Sequence, residues 1–226
     1  MKIECGPKHD LRIFELNLPN FPYIDKPWLE KLWMKTNNFI KGNKIGCLVS
    51  GGADSALLYF LMLEENRKTG NKYEIIPYTI LRIGAKKPAQ NVINWIHKFY
   101  NIPEIQLNII GDPDLPEIQQ VNSGIFEILG SKVDYVYLGI IADRPEHYIN
   151  WDNVKFEETV QRKYPFLNLE KSHIIDLYYK KKLKELFDLT RSCNIGEDEP
   201  CGHCNGCMAR IWGIEQIQQD RDIKLN

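Results

Sequence analysis

From residue 44 onward the apolar positions fall into two kinds of segment. Short, nearly continuous apolar runs predict strands at 44–49, 74–81, 105–109 and 134–138. Between and after them, apolar residues at helical spacing predict helices at about 54–68, 89–100, 117–130 and 153–163. The connections are short and the strands lack a polar face, which points to the α/β class: a doubly wound parallel sheet with helices on both sides. Upstream, residues 11–18 alternate apolar and polar, the pattern of a half-buried strand suited to an edge. Pro27 then opens a predicted helix to Ile40, with Trp28, Leu29, Leu32, Trp33 and Ile40 reading as core positions. The pattern divides the chain into an N-terminal extension (1–43, edge strand and helix), an α/β domain (44–190), and a C-terminal segment with clustered cysteines and a helix (191–226).

In such sheets ligands bind in the crevice beyond the carboxyl ends of the strands. Two loops therefore carry the candidate chemistry. The first, Ser50-Gly51-Gly52-Ala53-Asp54-Ser55, joins an apolar strand to an apolar helix. Its paired glycines allow unusual backbone angles and close approach, and the helix start adds aligned N–H groups and a positive dipole end, so the fitting guest is a phosphate. No lysine follows the glycines, which excludes the G-x-x-x-x-G-K-[ST] phosphate loop. The second loop, 139–152 (GIIADRPEHYINWD), gathers Asp143, Arg144, Glu146, His147 and Asp152, more ionisable groups than a surface turn requires.

Near the C-terminus, Cys193, Cys201, Cys204 and Cys207 form a C-x7-C-x2-C-x2-C array. Thiolates at this spacing suit a closed tetrahedral Zn²⁺ site of the structural kind. Spacing alone leaves an iron–sulfur cluster open. Arg191 and Arg210 lie where they would offset part of the negative charge, and His203 is read as outside the ligand set. Cys5 and Cys47 stand alone and read as packing residues.

Composition narrows the setting. With 43% hydrophobic and 26% charged residues the chain reads as globular, and no apolar run approaches the roughly 20 residues that span a bilayer. The first ten residues lack the apolar stretch of a signal peptide, so a cytoplasmic location is expected, where disulfides are rare. A net charge of -1 supplies no general field for nucleic acid, and Lys180, Lys181, Lys182 and Lys184 read as the solvated side of a helix.

Ser50, Gly51, Gly52, Asp54 and Ser55 match in full the S-G-G-x-D-S signature of the PP-loop ATP pyrophosphatase superfamily, which the chain thereby resembles. The resemblance implies an adenine nucleotide α-hydrolase-like fold whose loop grips the β- and γ-phosphates of ATP. These leave together as pyrophosphate after attack at the α-phosphorus. It also implies a late phosphate-binding lysine in a helix-opening segment P-[FL]-x4-K-x-x-[IV]. Residues 165–174 read PFLNLEKSHI, which puts Pro165 and Lys171 at the matching positions. Asp54 and Lys171 are thus the candidate catalytic residues, with Mg²⁺ expected between the phosphates and Asp54.

The loop together with the C-terminal C…CGHCNGCMAR is similar to the QueC-like 7-cyano-7-deazaguanine synthases, with Arg210 at the last position of the tail motif. Asp152 and Phe156 also match that family by type. The resemblance implies adenylation of 7-carboxy-7-deazaguanine, then ammonia attack to give amide or nitrile, with release of AMP and pyrophosphate. A homodimer is compatible with it. The acceptor-side motifs depart from the family: residues 78–90 read YTILRIGAKKPAQ and 118–126 read IQQVNSGIF. Arg82 or Lys86 would clamp a substrate carboxylate or α-phosphate, or else lie on a solvated loop. Asp143 and Asp152 complete the candidate substrate set. Two further acceptors stay open, a protein amine that takes up a deazapurine and tRNA, as does a nucleotide-sensing zinc module without catalysis.

Overall fold

The computed structural model describes residues 1–19, 44–80, 86–129, 132–142, 158–193 and 199–221. The expected helix from Pro27 to Ile40 lies outside them. The elements are β1 (Lys2–Cys5), β2 (Arg12–Glu15), β3 (Lys44–Leu48), α1 (Ala53–Lys68), β4 (Glu74–Ile80), α2 (Lys86–Tyr100) and β5 (Asn108–Ile110). They continue with α3 (Glu117–Ile128), β6 (Tyr135–Leu138), β7 (Arg162–Lys163), α4 (Lys171–Lys180), α5 (Lys184–Leu189) and α6 (Asn205–Arg221).

Five strands form one parallel sheet in the order β5-β4-β3-β6-β7. The central strand β3 shows why the sequence lacks a polar face there. Ile45, Cys47 and Val49 point into one core with α1, α2 and α4, while Leu48 packs toward a second core built from α3, β4 and β6. Gly46 keeps that second layer close: a Cβ there would lie 3.4 Å from the Tyr78 ring and from Val133. The sheet order reverses direction at β3, so the loop that follows it opens at the crevice where ligands bind.

Two elements from residue 44 onward differ from the expectation. The helix expected over 153–163 is absent from its described part, 158–163, where Arg162–Lys163 instead adds a short strand beside β6. Pro165 disfavours helical backbone at Tyr164, and Thr159 Oγ1 and Glu158 accept the N–H groups of Arg162 and Tyr164. The strand expected at 105–109 begins at Asn108, where pairing with Tyr78 starts.

The alternating segment at 11–18 does not edge the large sheet. Its strand β2 pairs antiparallel with β1 as a separate hairpin. Phe14 and Leu16, both fully buried, enter the same core as α1, and Phe14 packs on Phe166 with ring centroids 5.1 Å apart. Each such side chain contributes about 1.5–3 kcal/mol of burial. Three of the four lysines in the run pair within the chain: Lys180 with Asp176, Lys181 with Glu64 and Lys184 with Asp188. Among the described residues no helix is long and apolar enough to cross a membrane.

Candidate nucleotide site and cysteine knuckle

The Ser50–Ser55 turn is stapled by its own end residues. Ser55 Oγ accepts the N–H of Ser50 at 3.0 Å and donates to the carbonyl of Gly52 at 3.2 Å, while the two hydroxyls lie 3.0 Å apart. Gly51 adopts φ +81°, and a Cβ there would sit 2.6 Å from the Ala89 nitrogen. Glycine is therefore required both for the left-handed angle and for the approach of α2. The helix that follows starts at Ala53 without a side-chain cap. The first N–H groups of an α-helix have no acceptor in their own helix, and they face the crevice with the positive dipole end.

Three neighbours fix this turn. Gly139, just past β6, lies so near that a Cβ would stand 2.9 Å from the Asp54 carbonyl carbon and the Ser55 nitrogen. Tyr178 of α4 donates its hydroxyl to the Ala53 carbonyl at 2.8 Å, and burial holds its phenol well above the usual range. The backbone N–H of Arg191 donates to the Gly51 carbonyl at 2.9 Å.

Lys171, the first residue of α4, extends its ammonium to 2.6 Å from both carboxylate oxygens of Asp54. The side chains are only 8% and 22% exposed, so the pair is far from bulk water. Gly213 of α6 supports it from behind; a Cβ there would meet Lys171 Cγ at 3.0 Å. The residues predicted from sequence at 50–55 and at 171 thus meet in space. Lys87 lies in the first turn of α2, while Arg82, Asp143 and Asp152, with Trp151 and Phe156, lie outside the described residues.

The four knuckle sulfurs lie within 4.8 Å of one another. Cys201 and Cys207 are 4.0 Å apart at sulfur, and Cys193 and Cys204 are 3.9 Å apart. No cysteine of the chain is in a disulfide. Burial, with Cys204, Cys193 and Cys201 beside it, pushes the Cys207 thiol up to about 12. A bound cation would reverse that, since it favours the thiolates. The N–H groups of Cys201 and Cys204 donate to Cys193 and Cys201 sulfur, and the four sulfurs together could hold a metal ion. His203 is exposed and its Nδ1 lies 2.7 Å from the Cys201 carbonyl, outside the sulfur cluster.

Arg210 interacts electrostatically with Cys207 while its hydrogen bonds go elsewhere. Its guanidinium donates to the Thr190 carbonyl and hydroxyl at 3.2 and 2.8 Å and to the Phe187 carbonyl at 2.9 Å, and stacks 3.9 Å over the Phe187 ring. Burial lowers its proton affinity below the ordinary arginine value. It thereby fixes the 187–192 segment, whose Arg191 reaches Gly51. Sequence patterning missed Gly139, Tyr178 and this route, because each acts through backbone contacts that no local period encodes.

Similarity to known proteins agrees with this arrangement. The family described as "Queuosine biosynthesis protein QueC" matches residues 143–218, the span that carries Lys171, the cysteines and Arg210. The 7-cyano-7-deazaguanine synthase of Campylobacter jejuni strain 81116 is 23% identical over 218 residues, covering 79% of this chain and 96% of that protein. The Picrophilus torridus 7-cyano-7-deazaguanine synthase is 23% identical over 222 residues, covering 79% and 90%. Among solved structures, the U34-tRNA thiolase NcsA from Methanococcus maripaludis with its [4Fe-4S] cluster overlaps 84% of this chain and 79% of its own, at 15% identity and TM-score 0.40, too loosely to bear on function. The S-G-G-x-D-S turn, the late lysine and the cysteine knuckle, together with these matches, agree with a diverged QueC-like member of the PP-loop family.

Proposed function

We propose that the protein uses ATP to adenylate a carboxylate, 7-carboxy-7-deazaguanine being the favoured substrate, and then admits ammonia to form the amide or nitrile. The observation that carries this reading is the meeting of Lys171 with Asp54 at the mouth of the Ser50–Ser55 turn. A pyrophosphate leaving group needs a fixed cation and several converging N–H donors, and both stand at that point.

The chemistry follows from the parts. A carboxylate is a poor electrophile, so ammonia cannot displace its oxygen directly. The substrate carboxylate oxygen attacks the α-phosphorus, and the bond to the bridging oxygen breaks. Its electrons leave with pyrophosphate, and the turn and Lys171 stabilise the charge that develops. Ammonia then adds to the acyl carbon, AMP departs, and the proton goes to solvent; for the nitrile, a second ATP adenylates the amide oxygen, which leaves with AMP as the two nitrogen protons go to solvent. Positioning and electrostatics suffice, with no enzyme nucleophile.

Two ions belong to this reading. Asp54 is the residue that would hold Mg²⁺ beside the phosphates, once Lys171 has turned toward them; the ion would supply further neutralisation there. For the knuckle, sulfurs about 2.3 Å from a tetrahedral Zn²⁺ lie about 3.8 Å from one another, near the observed spacings. A cubane cluster is larger and would hold its cysteines further apart, which favours a single zinc ion.

The test is pyrophosphate and AMP release from ATP with 7-carboxy-7-deazaguanine and ammonium, with the product identified by mass. Release dependent on both co-substrates supports the proposal. Release that instead requires a protein amine or tRNA would move the acceptor while keeping adenylation. Absence of ATP cleavage with every acceptor would overturn the enzymatic reading in favour of a nucleotide-sensing module.

A further inference from the structure

We propose that the N-terminal hairpin is a clamp that positions Lys171, and that Arg12 is its central residue. The inference rests on the reading of Lys171 as the cation of the site. A lysine side chain is long and flexible, so its use as a fixed charge depends on how firmly the backbone beneath it is anchored. Here the anchor comes from residues more than 150 positions away in the chain.

Arg12 of β2 distributes its donors over three residues in two segments. Nε and Nη2 bind the two Asp10 oxygens at 3.0 and 2.6 Å, Nη2 also reaches Glu170 Oε1 at 2.9 Å, and Nη1 binds the Asn168 carbonyl at 2.7 Å. Asn168 and Glu170 are the residues that lead into Lys171. Asp10 and Glu170 raise the proton affinity of the guanidinium, so it stays charged, and lysine could not reproduce its planar set of contacts.

His173 completes the junction. Its Nδ1 accepts the Glu170 N–H at 3.2 Å and its Nε2 donates to the Asp10 carbonyl at 2.9 Å. Asp10, Glu170 and His173 lie close enough to resemble a metal-binding trio. Arg12 occupies the space between the carboxylates and both imidazole nitrogens are engaged, so the cluster serves as a joint. Gly6 lies flush on this joint: a Cβ there would be 2.5 Å from the His173 ring. Further along α4, Gly6 N–H donates to Asp176 at 2.9 Å and Lys180 donates to the Glu4 carbonyl at 2.6 Å. These two contacts hold the hairpin on the helix without Arg12, so a change at Arg12 loosens the helix start selectively.

The test compares Arg12→Ala and Arg12→Lys with the unaltered protein, reading acylation of individual lysines by peptide mass, pyrophosphate release, and thermal stability. Arg12→Ala, which removes the hydrogen bonds to Asn168 and Glu170, is expected to speed labelling of Lys171 by at least about tenfold, the effect of a single charge-assisted bond, while Lys181 at the far end of the same helix is unaffected. Arg12→Lys falls between. With ATP turnover, kcat falls and KM for ATP changes little, because Lys171 acts on the departing charge. Glu170→Gln, which leaves the Arg12 bonds to Asp10 and Asn168 in place, serves where Arg12→Ala does not fold, and faster labelling of Lys171 alone is again the expected result. Lys171 labelling unchanged, or raised equally with Lys181, would overturn the clamp. An unaltered protein that releases no pyrophosphate would sink the ATP reading alone, and the labelling would still decide the clamp.

Discussion

Lys171 and Asp54, 117 residues apart in the chain, form a two-pronged ion pair with the ammonium 2.6 Å from each carboxylate oxygen. Each partner neutralises the other in a setting mostly withdrawn from solvent, so neither charge is stranded before a nucleotide arrives. On the proposed reading, a triphosphate tail would offer Lys171 stronger acceptors and so release Asp54. The pair would then couple the two residues: the substrate that recruits the lysine would also uncover the carboxylate.

Replacement of Lys171 by Ala is expected to lower pyrophosphate formation by about 10²–10³-fold, the usual cost of one preorganised charge-stabilising group. Asp54→Ala should act in the same direction. Turnover measured with ATP in excess checks this, with circular dichroism to verify the fold. Turnover equal to that of the parent protein would remove these residues from the mechanism.

Cys204→Ser is expected to release the knuckle metal, measured by elemental analysis, and to destabilise the chain. A loss of about 3 kcal/mol in a protein of this size lowers Tm by roughly 6–12 °C. A second effect follows from connectivity. Arg191, two residues before Cys193, donates its N–H to Gly51, so a slack knuckle would loosen the Ser50–Ser55 turn. Nucleotide affinity should therefore fall along with stability. Metal loss with unchanged Tm would contradict a structural centre.

Burial, followed by the nearby Arg12 charge, lowers the His173 proton affinity below the ordinary histidine value of 6.5. The unfolded chain thus binds this proton more readily than the folded one. His173 contributes stability that is complete above about pH 6.5 and is lost as the pH falls toward its lower folded value. Urea unfolding between pH 7.5 and 5 should show stability declining with acid, and His173→Gln should flatten that slope. An unchanged slope in the variant would place the pH dependence elsewhere. Carboxylates held below their usual range, such as Glu64, add their own loss only at lower pH.

Much of this arrangement was legible in the chain. The strand runs at 44–49, 74–81 and 134–138 are apolar because both faces of the sheet are covered, and the structure places strands there. The Gly51–Gly52 pair marked a tight strand-to-helix turn, and the structure has one there, stapled by Ser50 and Ser55. Lys171 was recognisable only through family resemblance, since a lone lysine carries no local signal. The hairpin's role was hidden for a different reason: Arg12, Glu170 and His173 act across the whole length of the chain. A sequence period reports which face of an element is buried, and it is silent on which distant element covers that face.

Gly139 gives the most direct test of how tightly the turn is built. It follows β6 where that strand passes the start of α1, and an added Cβ would stand 2.9 Å from both the Asp54 carbonyl carbon and the Ser55 nitrogen. Those atoms belong to backbone that the Ser50–Ser55 hydrogen bonds hold in place, so they cannot move aside as a side-chain tip would. Gly139→Ala must then either displace β6 or push the turn outward, at a cost of about 1–3 kcal/mol. Displacement of the turn would rotate the helix-start N–H groups away from the crevice and separate Asp54 from Lys171. The expected outcome is weaker nucleotide binding by calorimetry together with a lowered Tm. If instead the variant binds nucleotide as tightly as the parent, the crevice between β6 and the turn tolerates movement, and the turn is not the rigid cradle that the departure of pyrophosphate requires.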